Sequence, residues 1–379
     1  MARQLFNGVY HGRKVFVTGA SGFKGSWLCH WLAELGARVT GFSLYLPSRP
    51  CHFEVIRLND RIRHVKGDVR DLAALNKAIA KAKPEIVFHL AAQPIVRASY
   101  DDPVTTFETN LLGTVNVLET IRKLGSVQAA VIVTSDKCYE NVEKRHAYKE
   151  TDRLGGKDPY SASKACAEIA LSAYVRSFFD SQPRGALNSE NVSSASIATA
   201  RAGNVIGGGD WAKDRVVPDC IRSWSRGESP ILRHPRATRP WQHVLEPISA
   251  YLWLGARLLD RNDQIHGEAF NFGPGSQVNE SVESLVQNLR FFWPNAPKPK
   301  IAASNREKPE AGLLRLDCRK AAKKLSWRAT LSFSETTRFT ANWYRSYFAD
   351  RSKASHLTST QILEFADLAK KRKLTWAGR

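Results

Sequence analysis

Near its start the chain reads Lys14-Val15-Phe16-Val17-Thr18-Gly19-Ala20-Ser21-Gly22-Phe23-Lys24-Gly25, and this stretch constrains the fold more than any other. A strand-forming run enters a Gly-x-x-Gly-x-x-Gly turn. An amphipathic segment follows, with Trp27, Leu28, Trp31, Leu32 and Leu35 on one side. Strand, glycine turn and helix in that order open a βαβ unit. Such a turn lets backbone N–H groups approach a pyrophosphate, and the helix N-terminus turns the positive end of its dipole toward it. The expected fold is α/β, a Rossmann-type doubly wound parallel sheet, holding a dinucleotide on Gly19, Ser21, Gly22, Phe23 and Gly25.

The rest of the first 200 residues keeps this rhythm. Strand signals at 38–44, 64–67, 86–90, 130–134 and 196–200 alternate with helical patterns at 72–83, 105–124 and 161–179, as in a parallel sheet covered by helices. A polar Gly/Ser/Asn-rich stretch at 181–194 reads as a surface loop. After Gly209 the alternation stops, Pro and Trp become frequent, and helices are expected near 218–226, 247–260, 282–292 and 335–347. The division expected is a dinucleotide-binding domain over 1–209, to which a segment near 240–275 returns. A smaller mixed α/β substrate lobe then spans 210–350, and a basic, partly helical tail 351–379.

Two further segments suit a dinucleotide. Gly67-Asp68-Val69 follows the third strand, where the Asp68 carboxylate would accept from an adenine amine. Leu90-Ala91-Ala92 ends the fourth strand with small residues that leave room for the cofactor. The second strand ends Phe42-Ser43-Leu44-Tyr45 and lacks the acidic residue that usually takes the ribose hydroxyls. Arg49 lies close by in sequence, which keeps NADP open, but NAD is the cofactor expected.

Composition excludes other classes. With 43% apolar and 24% charged residues the chain is ordinary for a globular protein. No run approaches the ~18 apolar residues of a membrane span, and no apolar leader precedes the first strand, so a cytoplasmic protein is expected. Six scattered cysteines with no Cys-x-x-Cys pair argue against a disulfide framework or a metal knuckle. The net charge of +20 raises the question of nucleic acid. Residues 315–379 hold 15 Lys or Arg against 5 Asp or Glu, half of that excess. The run Lys370-Lys371-Arg372-Lys373 follows the apolar pattern Ile362, Phe365, Leu368 and Ala369, so it reads as a solvated helix end. Nucleic acid is not the expected partner.

Tyr160-Ser161-Ala162-Ser163-Lys164 puts a phenol and an amine on one helix face. A phenol with its usual pKa of ~10 is a poor base, and a neighbouring ammonium favours the phenolate. Thr134-Ser135-Asp136-Lys137 closes the preceding strand and adds a hydroxyl and a carboxylate at the sheet's carboxyl edge. With these motifs the sequence resembles the extended short-chain dehydrogenases/reductases that act on nucleotide sugars, from about Arg13 to about Tyr347. The most specific stretches are 18–27, 88–97, 134–139, 158–164, 201–214 and 239–247. Among them are Gly207-Gly208-Gly209-Asp210-Trp211 and Arg239-Pro240-Trp241-Gln242-His243. Within that family the chain looks most like the 4,6-dehydratase branch that takes CDP-glucose.

The resemblance implies a lyase with catalytic NAD. Tyr160 takes the proton of the sugar 4-hydroxyl, with Lys164 lowering its pKa and holding the nicotinamide ribose, and Ser135 bonds the same oxygen. Asp136 is the acid for loss of the 6-hydroxyl. Lys137, standing where dTDP-glucose dehydratases carry a Glu, is the candidate C5 base. Arg201, Arg215 and Arg239 are implied for the substrate diphosphate, since guanidinium forks match phosphate. Gln93, Asn110, Asn204 and His243 are implied for the same cleft. The resemblance also implies a homo-oligomer, dimer or tetramer, built on the helices at 105–124 and 161–179. The pattern is broken at Arg306-Glu307-Lys308-Pro309-Glu310-Ala311, where close relatives are often His-rich. A 4-epimerase, or a dehydratase for another nucleotide sugar, is the alternative. An epimerase would not need the Asp136–Lys137 pair.

Overall fold

The computed structural model describes residues 2–143, 147–179, 195–260, 264–275, 278–302 and 314–378. The expectations placed on 181–194 and 306–311 lie outside the described residues. Seven strands form one sheet: β1 (Lys14–Thr18), β2 (Arg38–Ser43), β3 (Arg63–Lys66), β4 (Ile86–His89), β5 (Ala129–Val133), β6 (Ser196–Arg201) and β7 (Ala269–Asn271). Their spatial order is β7-β6-β5-β4-β1-β2-β3, and every neighbouring pair is parallel. The direction of winding reverses between β1 and β4, and in such sheets ligands bind outside the carboxyl ends at that point.

Covering both faces of a parallel sheet requires strands that are apolar throughout. Val15 and Val17 of β1 enter one core while Phe16 enters the other. Ile86 and Phe88 of β4 likewise oppose Val87. On one side lie α1 (Phe23–Glu34) and α6 (Leu245–Leu259), the latter buried almost all round. On the other lie α2 (Leu72–Ala82), α3 (Gly113–Leu124) and α4 (Pro159–Tyr174). The helices expected at 105–124 and 161–179 are not uniform. Glu108–Leu112 and Val175–Phe179 are π-helical turns, which hydrophobic spacing does not announce.

Outside the sheet, α5 (Val216–Trp224), α7 (Val282–Phe291) and α8 (Phe333–Ala349) support short two-residue strands, among them Thr238–Arg239 paired with Glu280–Ser281. A capping box of Ser332 and Glu335 starts α8. The basic tail is more than a solvated end. Its helix α9 (Ala354–Lys371) docks on α1, and Trp376 stacks on Phe6 at 5.1 Å and Phe365 at 5.5 Å. Its basic run, Lys371 to Lys373, stays exposed. No described helix is long and apolar enough to cross a membrane.

Candidate active site

The glycine turn stands at the carboxyl end of β1. Gly19 has φ +70°, and a Cβ there would lie 2.7 Å from the Ala91 backbone nitrogen, so the loop after β4 can approach only a glycine. Thr18 Oγ1 fixes that loop by accepting from Leu90 N at 3.1 Å and Ala91 N at 3.2 Å. Leu90, Ala91 and Ala92 stay half-exposed. Gly22 caps α1 without a side-chain hydrogen bond, which leaves the first N–H groups of that 12-residue helix open to an anion. The Ser21 hydroxyl donates to Tyr45 O at 2.6 Å, and Phe23 begins the helix. Asp68 is engaged locally with Arg70 at 2.7 Å, and Val69 is buried.

Beyond the buried strand β5, Ser135 is extended. Its Oγ accepts from Lys137 N at 3.2 Å and donates to Asp136 Oδ1 at 2.9 Å. Asp136 is buried, with Asn204 Nδ2 3.4 Å from its Oδ2. A Cβ on Gly203 would fall 2.1 Å from the same carboxylate oxygen, so this glycine makes the space that Asp136 occupies. Lys137 is half-buried on the turn Asp136–Cys138. Asp158 caps α4, accepting from Ser161 N at 2.9 Å, and the helix delivers Tyr160 in its first turn. The phenol is 8% exposed. Burial pushes its pKa up to about 12; Ser135 hydrogen bonding lowers it, Asp136 raises it and Arg215 lowers it.

The Lys164 amine lies 3.4 Å from Val133 O, and Arg215 is one cation acting on the Tyr160 phenol. Burial, then the charge of Lys24, bring Lys164 down to about 8. Lys24 belongs to the glycine turn and received no role from the sequence. It reaches the cleft floor, its Nζ donating to Tyr251 Oη of α6 at 3.3 Å. Tyr251 in turn lies close enough to Tyr160 and Asp136 to feel their charge. The sequence signal was present, a lysine between the second and third glycines, but its partner is 227 residues away.

The residues implied for substrate separate into two groups. Arg215 is part-exposed, pairs with Asp210 at 2.8 Å and faces Tyr160. Arg239 is half-buried on its short strand, its guanidinium 2.8 Å from Thr238 O. Asn204 meets Asp136. The others turn inward. Arg201 is buried against Glu168, donating from Nε at 2.8 Å and Nη2 at 2.9 Å, with a third bond to Tyr139 Oη at 2.7 Å. Thr134 and Thr199 complete the Glu168 shell. With these donors committed, Arg201 is a brace between α4 and β6, which corrects its reading as a diphosphate ligand. Glu168 itself was missed, because nothing in α4's sequence marks an inward carboxylate. Asn110 is fully buried and clips Gln93 N at 2.8 Å and Ser163 Oγ at 2.9 Å. Gln93 folds back on Ile95 and Thr106. His243 is buried beside Phe339 and Trp27, and burial lowers its pKa to about 3. These three shape the walls from behind.

Comparisons with known proteins agree with this fold. A family model described as GDP-mannose 4,6 dehydratase matches residues 16–340. The CDP-glucose 4,6-dehydratase of Salmonella typhimurium is 45% identical over 89% of this chain and 92% of its own length. Among solved structures, MoeE5 in complex with UDP-glucose and NAD is 26% identical, with a TM-score of 0.68 over 88% of this chain and 99% of its own. The dTDP-glucose 4,6-dehydratase of Bacillus anthracis in complex with NAD, 19% identical, superposes at a TM-score of 0.70 over 88% and 96%. The matched span runs from β1 through the glycine turn, Ser135–Asp136 and Tyr160 into α8, and the chain belongs to the GDP-mannose 4,6 dehydratase family.

Proposed function

We propose that this enzyme converts CDP-glucose to CDP-4-keto-6-deoxyglucose and water. The observation that carries the reading is a buried carboxyl, Asp136, built into the same cleft edge as the Tyr160 phenol, with Gly203 opened to seat it. Oxidation at C4 needs from the protein only a proton acceptor, the phenol, beside a bound hydride acceptor. A positioned acid is needed when hydroxide must leave. The likeness to the Salmonella CDP-glucose enzyme supports CDP-glucose over other nucleotide sugars.

The uncapped N-terminus of α1 and the Gly19 approach fit a dinucleotide, and the NAD-bound relative supports NAD. Gly19, Ser21, Gly22, Phe23 and Gly25 would hold its pyrophosphate, with Asp68, Val69 and Leu90–Ala92 along the rest. When bound, NAD supplies the hydride acceptor and donor. The protein's own residues do the proton work. Tyr160, bonded to Ser135, takes the proton of the 4-hydroxyl; Lys164 backs it from the same helix. The 4-ketone acidifies C5–H, which Lys137 removes while Asp136 protonates the departing 6-hydroxyl. Arg239 and Arg215 take the diphosphate, so that the sugar lies over Asp136. Two copies associate through the helices at 103–124 and 159–174, where Val104, Leu112 and Ile169 are exposed. Incubation with CDP-, dTDP-, UDP- and GDP-activated hexoses followed by product identification tests the assignment. Dehydration of CDP-glucose well ahead of the others is expected; comparable turnover of dTDP- or UDP-glucose refutes the base specificity.

A further inference from the structure

Gly203 and Asn204, the residues that border the Asp136 carboxyl, lie just beyond the end of β6. Asn204 reaches Asp136 Oδ2 with its Nδ2 at 3.4 Å, and Gly203 leaves no room for a Cβ beside the same carboxylate. Their backbone is not one that holds itself. Asn204 has φ +53°, in the left-handed region that most side chains avoid and asparagine tolerates best. The segment is fixed by a residue 39 positions from Gly203, Gln242. This glutamine is 1% exposed, on the short strand Gln242–His243 that pairs with Val205–Ile206. Its backbone N–H donates to Asn204 O at 3.2 Å. Its side-chain Nε2 donates twice more, to Gly203 O at 2.9 Å and to Phe272 O, just past β7, at 3.2 Å. Burying an amide is favourable only through the bonds it makes. Here both side-chain donors are spent on the backbone that seats Asp136 and on the neighbouring strand end.

We propose that Gln242 is a positioning residue for the elimination step: by pinning the Gly203–Asn204 backbone it fixes where the Asp136 carboxyl meets the departing 6-hydroxyl. The inference rests on the dehydratase reading given above. In that step the C5 proton leaves to the base and its electron pair forms the C5–C6 double bond. The C6–O bond breaks as Asp136 gives up its proton, so water departs and a carboxylate remains. An acid serves only from within hydrogen-bond reach of the oxygen it protonates, and a displacement of ~1 Å can cost about 10²-fold. With Gln242 in place, the glycine that borders the carboxyl and the asparagine that bonds it are held at their backbone carbonyls, one each by side chain and main chain. Without its side-chain donors, Gly203 is released from β7's end and the seat of Asp136 can shift. The C4 oxidation depends instead on Tyr160 of α4, which this brace does not touch.

The test uses the full chain loaded with NAD and a variant, Gln242→Met, that keeps the volume and removes both amide donors. In single-turnover mixing with CDP-glucose, NADH absorbance should rise at close to the wild-type rate and decay about 10–10²-fold more slowly, with little change in KM. A double-mutant cycle separates positioning from general damage. In an Asp136→Asn background Gln242→Met should remove little more, because the acid it positions is gone. Losses that multiply in the double variant, or equal slowing of oxidation and elimination, overturn the proposal. Gln242→Asn, which keeps the amide on a side chain one methylene shorter, should give a smaller loss and serves if Gln242→Met folds poorly. A second readout needs no turnover. The carboxyl 13C signal of Asp136, identified by its loss in Asp136→Asn, should move in Gln242→Met, and an unmoved signal also overturns the proposal. A wild type that forms no 4-keto-6-deoxy sugar removes the step itself; that failure belongs to the dehydratase reading and shows without any variant.

Discussion

Replacing Arg201 by Met separates a structural brace from a substrate ligand. Both charged side chains of the Arg201–Glu168 pair are 4% exposed, so solvent screening does not discount the interaction as it does at a surface. The substitution removes two bonds to Glu168 and one to Tyr139. It leaves the carboxylate with Thr134 and Thr199 as its partners. Stranding one member of a buried pair costs about 3–5 kcal/mol. With a urea m-value of roughly 3 kcal/mol/M, the midpoint should fall by about 1 M or more. Adding Glu168→Gln to Arg201→Met should recover part of that loss, since no uncompensated charge then remains. Acid adds a second reading. Burial raises the Glu168 pKa, but Arg201 and the two threonines outweigh it and the net shift is downward. A carboxyl lowered in the folded state stabilises fully above its unfolded value of ~4.3 and loses that contribution as pH falls through the folded value. The wild type should lose this stability at acid pH, and the double variant should lose less. Unchanged urea midpoints together with a raised KM for the nucleotide sugar would refute the brace and restore Arg201 to the diphosphate.

Three more outcomes follow from the same geometry. Asp136→Asn should cut dehydration by roughly 10²–10⁴-fold while C4 oxidation persists in single-turnover assays; equal loss of both steps would contradict its role as the acid. Glu246, buried beneath the backbone N–H groups of Thr330 and Leu331, is raised by burial to about 7. Its contribution is therefore greatest below ~4.3 and declines as pH rises to about 7, so Glu246→Gln should flatten the stability profile across that window in urea melts. Ile169→Arg, on the exposed face of α4, should shift the particle mass toward the monomer in light scattering if that helix carries the association; an unchanged mass would place the contact elsewhere.

The sheet was legible to within a residue or two at β1 through β6, because β1, β4 and β5 are short, largely apolar runs buried on both faces and glycine follows β1 and β3. The placing of the candidate residues was legible too, since Tyr160 and Lys164 lie four apart on one helix and Ser135–Asp136 lie just past β5. Contacts between distant segments were not. Arg201 reads the same in sequence whether it meets a phosphate or Glu168, and only packing decides that α4 turns that carboxylate inward. Gln242 illustrates the point: it stands in a stretch notable for rare residues, yet it staples the backbone carbonyls of Gly203 and Phe272 at 2.9 and 3.2 Å. Lys24 was hidden by company, as one residue in a motif whose glycines account for the turn without it. Its partner Tyr251 sits in a helix with no catalytic signature.

On the proposed reading, one cleft both oxidises and dehydrates the same sugar. The most direct measurement follows the hydrogen at C4. CDP-glucose deuterated at C4 is incubated with the enzyme in ordinary water, and the product is analysed by NMR and mass spectrometry. The label is expected at C6 of the 4-keto-6-deoxy sugar, with a solvent hydrogen at C5 and no net consumption of cofactor. Deuterium lost to solvent, or found only at C4 of an epimerised sugar, would contradict the account.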